Sequence, residues 1–345
     1  MISKLPRRTV IAGIGAGALV AALAACGSSS TTSSAPGGSS SPALRNITVV
    51  LDWFPNPDHV ALYLAQSKGY FAAAGLNVTL QAPSDPSDPP KLVSAGKFEL
   101  GISYEPETFL SRQAGLKVTA VGALIPTALN SVLATKDSPV KSISDLGGHI
   151  IGDAGLSSDQ AFLKAIYTKY GIDPATVKTI NLRTSLISAM VAGNVDATIG
   201  GFRNIEAVQL QMMGLDPLVV PVTDAGVPNY DELVVIANSD RLASDPAYQQ
   251  VVRDFLSALA KGVQAAQASP ADAEAAMATV AKGYDPATLA KMVQTTIPLL
   301  KGTGPVLSME PSQWDTFGQW MLANKLITAA IPTSDVMTTK YLPSS

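Results

Sequence analysis

The sequence contains very little cysteine and histidine. Its 345 residues include one cysteine, Cys26, and two histidines, His59 and His149. A disulfide bond within the chain would need a second cysteine, so none is expected to stabilise the fold. No cluster of cysteine and histidine has the spacing of metal ligands, and the sequence therefore predicts no metal site.

Charged residues are also scarce, at 15% of the chain, against about 25% in a typical soluble domain. Three basic residues, Lys4, Arg7 and Arg8, lie within the first 25 positions. Beyond them, 21 basic residues face 27 acidic ones, which gives a net charge of −6. A sparsely charged, acidic surface argues against nucleic acid as a partner.

Motifs of three common enzyme classes are missing. The chain has no Gly-x-Ser-x-Gly, no phosphate-binding Walker loop and no Gly-x-Gly-x-x-Gly after a predicted strand. These motifs mark α/β-hydrolases, P-loop nucleotidases and dinucleotide-binding enzymes. The sequence therefore offers no signal for any of these three chemistries.

The first 26 residues have the pattern of a secretory signal. A basic start is followed by an apolar stretch of 16 residues, Val10 to Ala25, which is shorter than the roughly 20 that span a bilayer. The ending Leu23-Ala24-Ala25-Cys26 resembles a bacterial lipobox. We expect a signal peptide at 1–25, a flexible tether at 26–45 lipidated on Cys26, and a protein held at the outer face of the cell membrane or in the periplasm. A plain signal or an uncleaved anchor is the alternative.

Strand-like and helix-like segments alternate from residue 46 onward. Strands are predicted at 47–51, 77–80, 99–103 and 117–121, separated by helices at 58–72, 89–96 and 107–114. The pattern restarts with strands at 149–152, 177–180, 197–199 and 218–220, and helices at 158–170, 184–192 and 203–213. This order predicts an α/β fold with two lobes, each a mostly parallel sheet flanked by helices.

The two α/β units place the lobe boundaries and the expected ligand site. Lobe one is predicted at 46–133 and 226–345, and lobe two at 134–225, with links near 130–138 and 222–232. The helical tail from 246 to 325 should pack on lobe one. Ligands of open α/β sheets bind beyond the carboxyl ends of the strands, so the cleft between the lobes is the expected site.

Three motifs connect the chain to a known family: Asp52-Trp53-Phe54-Pro55-Asn56-Pro57-Asp58-His59, Lys68-Gly69-Tyr70-Phe71 with Gly75-Leu76-Asn77-Val78, and Gly101-Ile102-Ser103-Tyr104-Glu105. The chain resembles the extracellular solute-binding proteins of ABC importers, in the branch with sulfonate- and nitrate-binding proteins. Its first and third motifs are similar to those of the subgroup that binds formylaminopyrimidine and riboflavin, which is related to fungal pyrimidine-precursor synthases. The resemblance implies a two-lobed periplasmic-binding-protein fold of type II that closes on its ligand as a monomer.

The loop at 52–59 supplies three candidate ligand contacts. Trp53 offers an indole face to a planar ring, or else packs in the core beneath the loop prolines. Asn56 has the donor and acceptor that suit a pyrimidine edge, or else completes a turn between two prolines. His59 lies at a helix start, where it either contacts the ligand or caps the helix.

Tyr104 and Glu105 follow the third strand and should lie at the same rim of the cleft. Tyr104 could stack on a ring, and Glu105 could accept a hydrogen bond from an exocyclic amine. Glu105 or Glu107 could instead cap the next helix, where negative charge is favoured.

Lobe two and the second crossing contribute six further candidates: Asp153, Gly155, Ser157, Phe202, Glu206 and Tyr230. The turn at 152–158 has glycines that allow close approach and free amides that suit an anionic or carbonyl oxygen, although a plain tight turn is the alternative. Ser157 or Ser158 is expected to cap the following helix. Glu206 is the nearest match to a pocket glutamate of the pyrimidine-binding relatives, and Tyr230 should reach the cleft from the hinge.

These features predict a binding protein that captures a small heterocycle of the thiamine-pyrimidine-precursor type and delivers it to an ABC permease and its ATPase. Riboflavin, a sulfonate or another anion is the alternative cargo; an anion would favour an arginine-lined cleft, and Arg203 is the main arginine at a strand end. The enzymatic alternative is a pyrimidine-precursor synthase. The resemblance implies that such a synthase needs a lysine-bound pyridoxal phosphate and a cysteine-rich iron site, but no cysteine follows Cys26. We therefore expect no enzymatic activity and no cofactor.

Overall fold

The computed structural model describes residues 44–344. The predicted signal peptide and the lipidation site Cys26 lie outside the described residues, as does most of the predicted tether. Between residues 44 and 344, no helix is both long enough and apolar enough to cross a membrane.

Ten strands and thirteen α-helices lie within the described residues. The strands are β1 Arg45–Val50, β2 Leu76–Gln81, β3 Leu100–Ser103, β4 Val118–Ile125, β5 Asn130–Ala134, β6 Ile150–Asp153, β7 Lys178–Asn181, β8 Ala197–Phe202, β9 Leu218–Pro221 and β10 Leu233–Asn238. The helices are α1 Val60–Ser67, α2 Tyr70–Ala73, α3 Pro89–Ser94, α4 Glu105–Gln113, α5 Ser157–Tyr170, α6 Leu186–Val191, α7 Glu206–Met212, α8 Ser239–Ser244, α9 Pro246–Ala268, α10 Pro270–Val280, α11 Pro286–Thr296, α12 Pro311–Ala323 and α13 Thr333–Val336.

The strands form two five-stranded sheets with the same plan. The first has the order β2-β1-β3-β10-β4 and the second the order β7-β6-β8-β5-β9. In the first sheet β1 runs parallel to β2 and β3, whereas β10 runs antiparallel to β3 and β4. In the second sheet β6 runs parallel to β7 and β8, whereas β5 runs antiparallel to β8 and β9. The predicted α/β fold of two mostly parallel lobes is confirmed.

The antiparallel strands β5 and β10 are the two strands absent from the sequence prediction. β5 belongs to the second sheet, so that sheet already begins at Asn130 rather than at the predicted lobe boundary of 134. The chain crosses between the sheets at residues 126–129 and returns at 222–232. The first crossing therefore precedes the link predicted at 130–138.

The helical tail contacts both lobes rather than lobe one alone. Its longest helix, α9, packs on α1 of the first lobe, and Gly262 makes this approach possible because a Cβ there would lie 2.2 Å from the Ala61 carbonyl oxygen. Further along, Trp320 of α12 lies 6.3 Å from Phe162 of α5 in the second lobe, measured between ring centroids. The tail thus spans the junction of the lobes.

Candidate functional site

The carboxyl ends of strands from both sheets meet at a small cavity between the lobes. We call this the inner cavity; its volume is ≈ 20 Å³. The first lobe contributes Asp52, Trp53, Asn56 and Tyr104, and the second lobe contributes Ala154, Leu156, Gly200, Phe202, Ile205 and Glu206. The position agrees with the general rule for open α/β sheets.

Asp52 is the polar centre of the inner cavity, and the sequence pattern did not single it out. Its buried carboxylate accepts a hydrogen bond from the Tyr104 hydroxyl at Oδ2 (2.8 Å) and contacts His59 Nε2 at Oδ1 (2.7 Å). The backbone N–H of Asn56 donates to His59 Nδ1 at 3.3 Å, which leaves the ring proton on Nε2, directed at Asp52. His59 is fully buried and lies behind Asp52, so it positions that carboxylate and does not line the cavity.

Asn56 has a structural role in the turn that carries Asp52. Its Oδ1 accepts a hydrogen bond from the Asp58 N–H at 2.8 Å, which caps the 3₁₀ turn Pro57–His59, and its Nδ2 donates to the Phe54 carbonyl oxygen at 3.2 Å. Its side chain nevertheless lines the inner cavity. Asn56 therefore both stabilises the turn and forms part of the cavity wall.

Aromatic rings from both lobes form the walls of the inner cavity. Tyr104 and Phe202 meet edge to face across the cleft, with ring centroids 6.2 Å apart and an interplanar angle of 89°. Trp53 is only partly buried and also borders a second, larger groove outside the cavity. Such rings suit contact with a planar ligand.

Glu206 is the second carboxylate of the inner cavity. Its Oε2 accepts a hydrogen bond from the Phe202 N–H at 2.8 Å. Burial raises the pKa of Glu206 to about 7, and the charge of Asp52 acts in the same direction. Near neutral pH this group can therefore act as a hydrogen-bond donor as well as an acceptor.

The turn after β6 places different residues at the cavity from those predicted. Ala154 and Leu156 line the cavity, whereas Asp153 and Gly155 are not among its lining and Ser157 is exposed. Asp153 instead holds the turn, because its Oδ1 accepts a hydrogen bond from the Gly155 N–H at 2.7 Å. Gly155 has φ +83°, a conformation that favours glycine.

Carboxylates of the protein already occupy the free amides of this turn. Glu107 reaches across from the first lobe, and its Oε1 accepts a hydrogen bond from the Ser158 N–H at 2.6 Å. Asp159 accepts one from the Ala154 N–H at 3.1 Å. No side chain of Ser157 or Ser158 caps α5, so the predicted serine cap is wrong. The helix start that could have held an anionic ligand is filled from within the protein.

Two predicted contacts, Glu105 at the start of α4 and Tyr230 in the second crossing, bond to residues of that crossing and do not line the inner cavity. Both are fully buried. Glu105 Oε2 accepts a hydrogen bond from the Asp231 N–H at 2.7 Å, and the Tyr230 hydroxyl donates to Glu232 Oε2 at 3.0 Å. Glu232 also accepts from the Asn130 N–H at 2.8 Å. This carboxylate therefore joins the two crossings.

A buried hydrogen-bonded group links the lobes beside the inner cavity. Asn204, in the loop after β8, donates from Nδ2 to Asp58 Oδ1 at 2.6 Å and to Thr296 Oγ1 of the tail at 2.8 Å. The Asn204 amide oxygen, Oδ1, and the second carboxyl oxygen of Asp58, Oδ2, have no hydrogen-bond partner among the described residues. Burial raises the pKa of Asp58 well above its usual range, with the charges of Asp52, Glu206 and Glu232 acting in the same direction.

Among residues 44–344, no group of three or more His, Cys, Asp or Glu side chains could hold a metal ion.

Residues 56–273 match the family model described as NMT1/THI5 like. The chain belongs to this family. Three relatives show its range. A protein of Haemophilus influenzae named for thiamine biosynthesis is 35% identical over 79% of this chain and 83% of its own length. The formylaminopyrimidine-binding protein of Halalkalibacterium halodurans is 28% identical over 86% of this chain and 91% of its own. A 4-amino-5-hydroxymethyl-2-methylpyrimidine phosphate synthase of Aspergillus parasiticus is 28% identical over 66% and 68%.

Solved structures share the fold of this NMT1/THI5-like chain. The alkanesulfonate-binding protein of Xanthomonas axonopodis pv. citri, bound to MOPS, superposes with a TM-score of 0.69 at 15% identity, over 86% of this chain and 99% of that one. A Candida albicans protein described as having the generic periplasmic binding protein fold gives a TM-score of 0.67 at 13% identity, over 88% and 99%. The resemblance to this family and the two-lobed periplasmic-binding-protein fold, both predicted from the sequence, are confirmed.

The larger groove of this NMT1/THI5-like chain opens beside the inner cavity and has a volume of ≈ 830 Å³. We call it the outer groove; it is lined by Trp53, Phe54, Pro55, Thr184, Leu186, Ile187, Ser188, Val191, Ala192, Glu206, Gln209, Met213, Val280, Lys282, Gly283 and Tyr284. Trp53 and Glu206 line both spaces. The sequence pattern did not predict this groove, because its lining comes from segments far apart in the chain.

Proposed function

We propose that this protein is an exported, lipid-anchored solute-binding protein that captures a small neutral heterocycle of the thiamine-pyrimidine-precursor class for an ABC importer. The two-lobed fold supports capture between lobes. The relative from Halalkalibacterium halodurans, whose name states that it binds formylaminopyrimidine, aligns over 86% of the chain and supports the ligand class. An ABC permease and its ATPase are the proposed partners.

The chemistry of the inner cavity is the observation that carries this proposal. Its ten lining residues include three aromatic side chains, two carboxyl groups and no lysine or arginine. A carboxylate such as Asp52 accepts hydrogen bonds from an exocyclic amine, and the aromatic rings provide apolar faces for a planar ring. An aminopyrimidine has both features.

The same observations disfavour a sulfonate or another anion. An anionic ligand would meet the carboxylate of Asp52 without a cation beside it in the cavity lining. The Ser158 N–H at the start of α5 is already hydrogen-bonded to Glu107, and the Ala154 N–H in the turn before it is hydrogen-bonded to Asp159. Arg203 donates from Nη2 to the Ala128 carbonyl oxygen at 3.0 Å and does not line the inner cavity.

Synthase activity is the second candidate, because family members carry that name. The inner cavity of this chain has no lysine in its lining, and no cysteine follows Cys26. His59, the histidine nearest the cavity, is fully buried and engaged with Asp52 at one nitrogen and Asn56 at the other. A binding role fits these residues better than catalysis.

Isothermal titration calorimetry with a ligand panel tests the proposal. The panel contains formylaminopyrimidine, 4-amino-5-hydroxymethyl-2-methylpyrimidine, riboflavin, taurine and nitrate. We expect saturable binding of the aminopyrimidines and none of taurine or nitrate. Binding of only the anions would overturn the neutral-heterocycle proposal, and binding of riboflavin alone would move the cargo to the flavins.

The proposed anchor is tested with Cys26→Ser in the natural host. A lipidated cysteine requires the thiol, so the variant should lose membrane attachment or remain unprocessed. Fractionation of cells followed by mass spectrometry of the amino terminus measures both outcomes. A variant that is processed normally and stays membrane-bound would contradict lipid anchoring at Cys26.

A further inference from the structure

The outer groove has a concentration of exposed apolar side chains. Seven large apolar side chains are exposed between residues 44 and 344, and three of them, Phe54, Val191 and Met213, line this one groove. Apolar side chains scattered singly over a surface need no special cause, whereas a contiguous patch marks a binding surface. Three exposed apolar side chains in one groove are therefore stronger evidence for a binding site than a single exposed side chain would be.

The groove continues directly from the proposed ligand site. Trp53 and Glu206 form part of the wall of both spaces. In this arrangement of the lobes the inner cavity, at ≈ 20 Å³, has room for about one water molecule, which needs roughly 10–15 Å³ of cavity. A ligand ring can therefore enter against Asp52 only as the lobes move apart. The outer groove, at ≈ 830 Å³, is within the range of about 300–1,000 Å³ typical of small-molecule sites. A ligand ring held against Asp52 therefore has space for a substituent only past Trp53 and Glu206, toward the groove.

The lining of the groove suits an apolar substituent. The first lobe contributes Phe54, the second lobe contributes Ile187 and Val191, and the tail contributes Val280 and Tyr284. Because these residues come from three segments, a group bound among them would contact both lobes and the tail at once. Its apolar surface would then favour the closed arrangement of the lobes.

We propose that the outer groove is a second ligand subsite that binds an apolar or aromatic group attached to the heterocycle in the inner cavity. The preferred ligand is then a two-part molecule, an aminopyrimidine with an apolar substituent, and not a bare aminopyrimidine. This inference rests on the proposed heterocycle-binding function and specifies its ligand more closely.

Calorimetry with a matched pair of ligands tests the inference. The pair is 4-amino-5-hydroxymethyl-2-methylpyrimidine and its O-benzyl ether, which both have a neutral side chain and differ by the benzyl group. Partial burial of the benzyl group should tighten binding by about 10-fold, since full burial of a phenylalanine-sized group is worth roughly 10- to 150-fold. The double variant Val191→Ser, Met213→Ser should lose most of this gain and keep the parent's affinity for the smaller compound.

Met212→Ser provides the matched control. Met212 is adjacent in sequence and comparably exposed, at 46% against 53% for Met213, but it does not line the groove. The control should retain the full benzyl advantage. The subsite is overturned if the two compounds bind equally to the parent, or if the double variant and the control behave alike.

Two further outcomes distinguish loss of the subsite from loss of heterocycle binding and from self-association of the chain. If the parent binds neither compound, the heterocycle-binding function fails together with the subsite, whereas equal binding of both compounds removes the subsite alone. Sedimentation velocity of the parent and the double variant checks the groove as a self-association surface. A parent dimer that the double variant abolishes, together with equal affinities for the two compounds, would assign the groove to self-association.

Discussion

At the scale of single residues, the main result is how Asp52 is held. The sequence predicts that residues of the motif at 52–59 contact the ligand, but in the structure these residues have different roles. Asp52 and Trp53 line the cavity, while His59 fixes the carboxylate from behind and Asn56 also fixes the turn. A carboxylate held by two hydrogen bonds costs little further ordering when it binds a ligand.

Trp53 gives the most direct residue-scale prediction. Removal of a stacked aromatic ring costs about 1–3 kcal/mol in base-stacking systems, so Trp53→Ala should weaken heterocycle binding by roughly 5- to 150-fold. Calorimetry measures the change, and Trp320→Phe serves as control because Trp320 lies outside the cavity lining and packs on Phe162 and Phe317. Equal affinities for parent and Trp53→Ala would remove Trp53 from the site.

At the scale of secondary-structure elements, the packing of α9 on α1 depends on one small residue. At Gly262 a Cβ would lie 2.2 Å from the Ala61 carbonyl oxygen and 2.9 Å from the Ala65 Cβ. Backbone must move to relieve such contacts, because no flexible side chain end is involved. The close approach of these helices is therefore set by the absence of a side chain.

Gly262→Ala should destabilise the fold although alanine is the better helix former. Overpacking costs about 1–3 kcal/mol, which exceeds the gain of roughly 1 kcal/mol in helix propensity. Urea unfolding followed by circular dichroism measures the loss. Gly283→Ala is the control, since nothing lies within 4 Å of a Cβ there. If Gly262→Ala has the same free energy of unfolding as the parent, the close approach of α9 and α1 does not contribute to stability.

At the scale of the whole molecule, Asn204 of the second lobe bonds to Asp58 of the first lobe and to Thr296 of the tail, and these bonds should favour the closed arrangement. Asn204→Ala removes both hydrogen bonds and leaves the buried Asp58 carboxyl without the bond from Asn204. We expect the ligand-free variant to populate an open form, seen as a larger radius of gyration in small-angle X-ray scattering. Saturating ligand should reduce the radius. The prediction fails if the ligand-free variant has the same radius of gyration as the ligand-free parent.

The buried carboxyl groups between the lobes also predict how stability depends on pH. Burial raises the pKa of Glu206 and Glu232 to about 7, that of Asp159 to about 8 and that of Asp231 to about 6. In the unfolded chain such groups titrate near about 4. The folded state therefore binds more protons between about pH 4 and 8, and its stability must fall as the pH rises through this window.

The thermal unfolding midpoint should accordingly be higher at pH 5.5 than at pH 8. A difference of roughly 1–2 °C is expected for each kcal/mol of stability lost, because the unfolding entropy scales with chain length; differential scanning calorimetry measures it. Glu232→Gln keeps an oxygen for the Leu129 and Asn130 N–H groups but does not titrate, so its midpoint should change less with pH. A midpoint that rises with pH across this window would contradict the sign. The exposed carboxyl groups with a lowered pKa, such as Asp145 and Asp285, have the opposite effect: their contribution to stability is lost as the pH falls below about 4.

The local elements and the general location of the site follow from short stretches of sequence. Eight of the ten described strands are predicted by β-branched runs such as Ile47 to Leu51, because residues of this type favour a buried strand wherever it pairs. The strand-end rule then places Trp53, Tyr104 and Glu206 at one cavity, and the motifs identify the family. Each of these inferences needs only a few neighbouring residues.

The partner of each polar group, in contrast, is set only by the tertiary fold. Glu105 accepts from the backbone of Asp231, 126 positions away, and Asn204 bonds to Asp58, 146 positions away. A carboxylate at a strand end has the same local sequence whether it faces a ligand or a hinge. Strand β10 likewise takes its place between β3 and β4 through pairing with residues more than a hundred positions earlier. Such pairings depend on which segments the folded chain brings together, and no local pattern of residues records them.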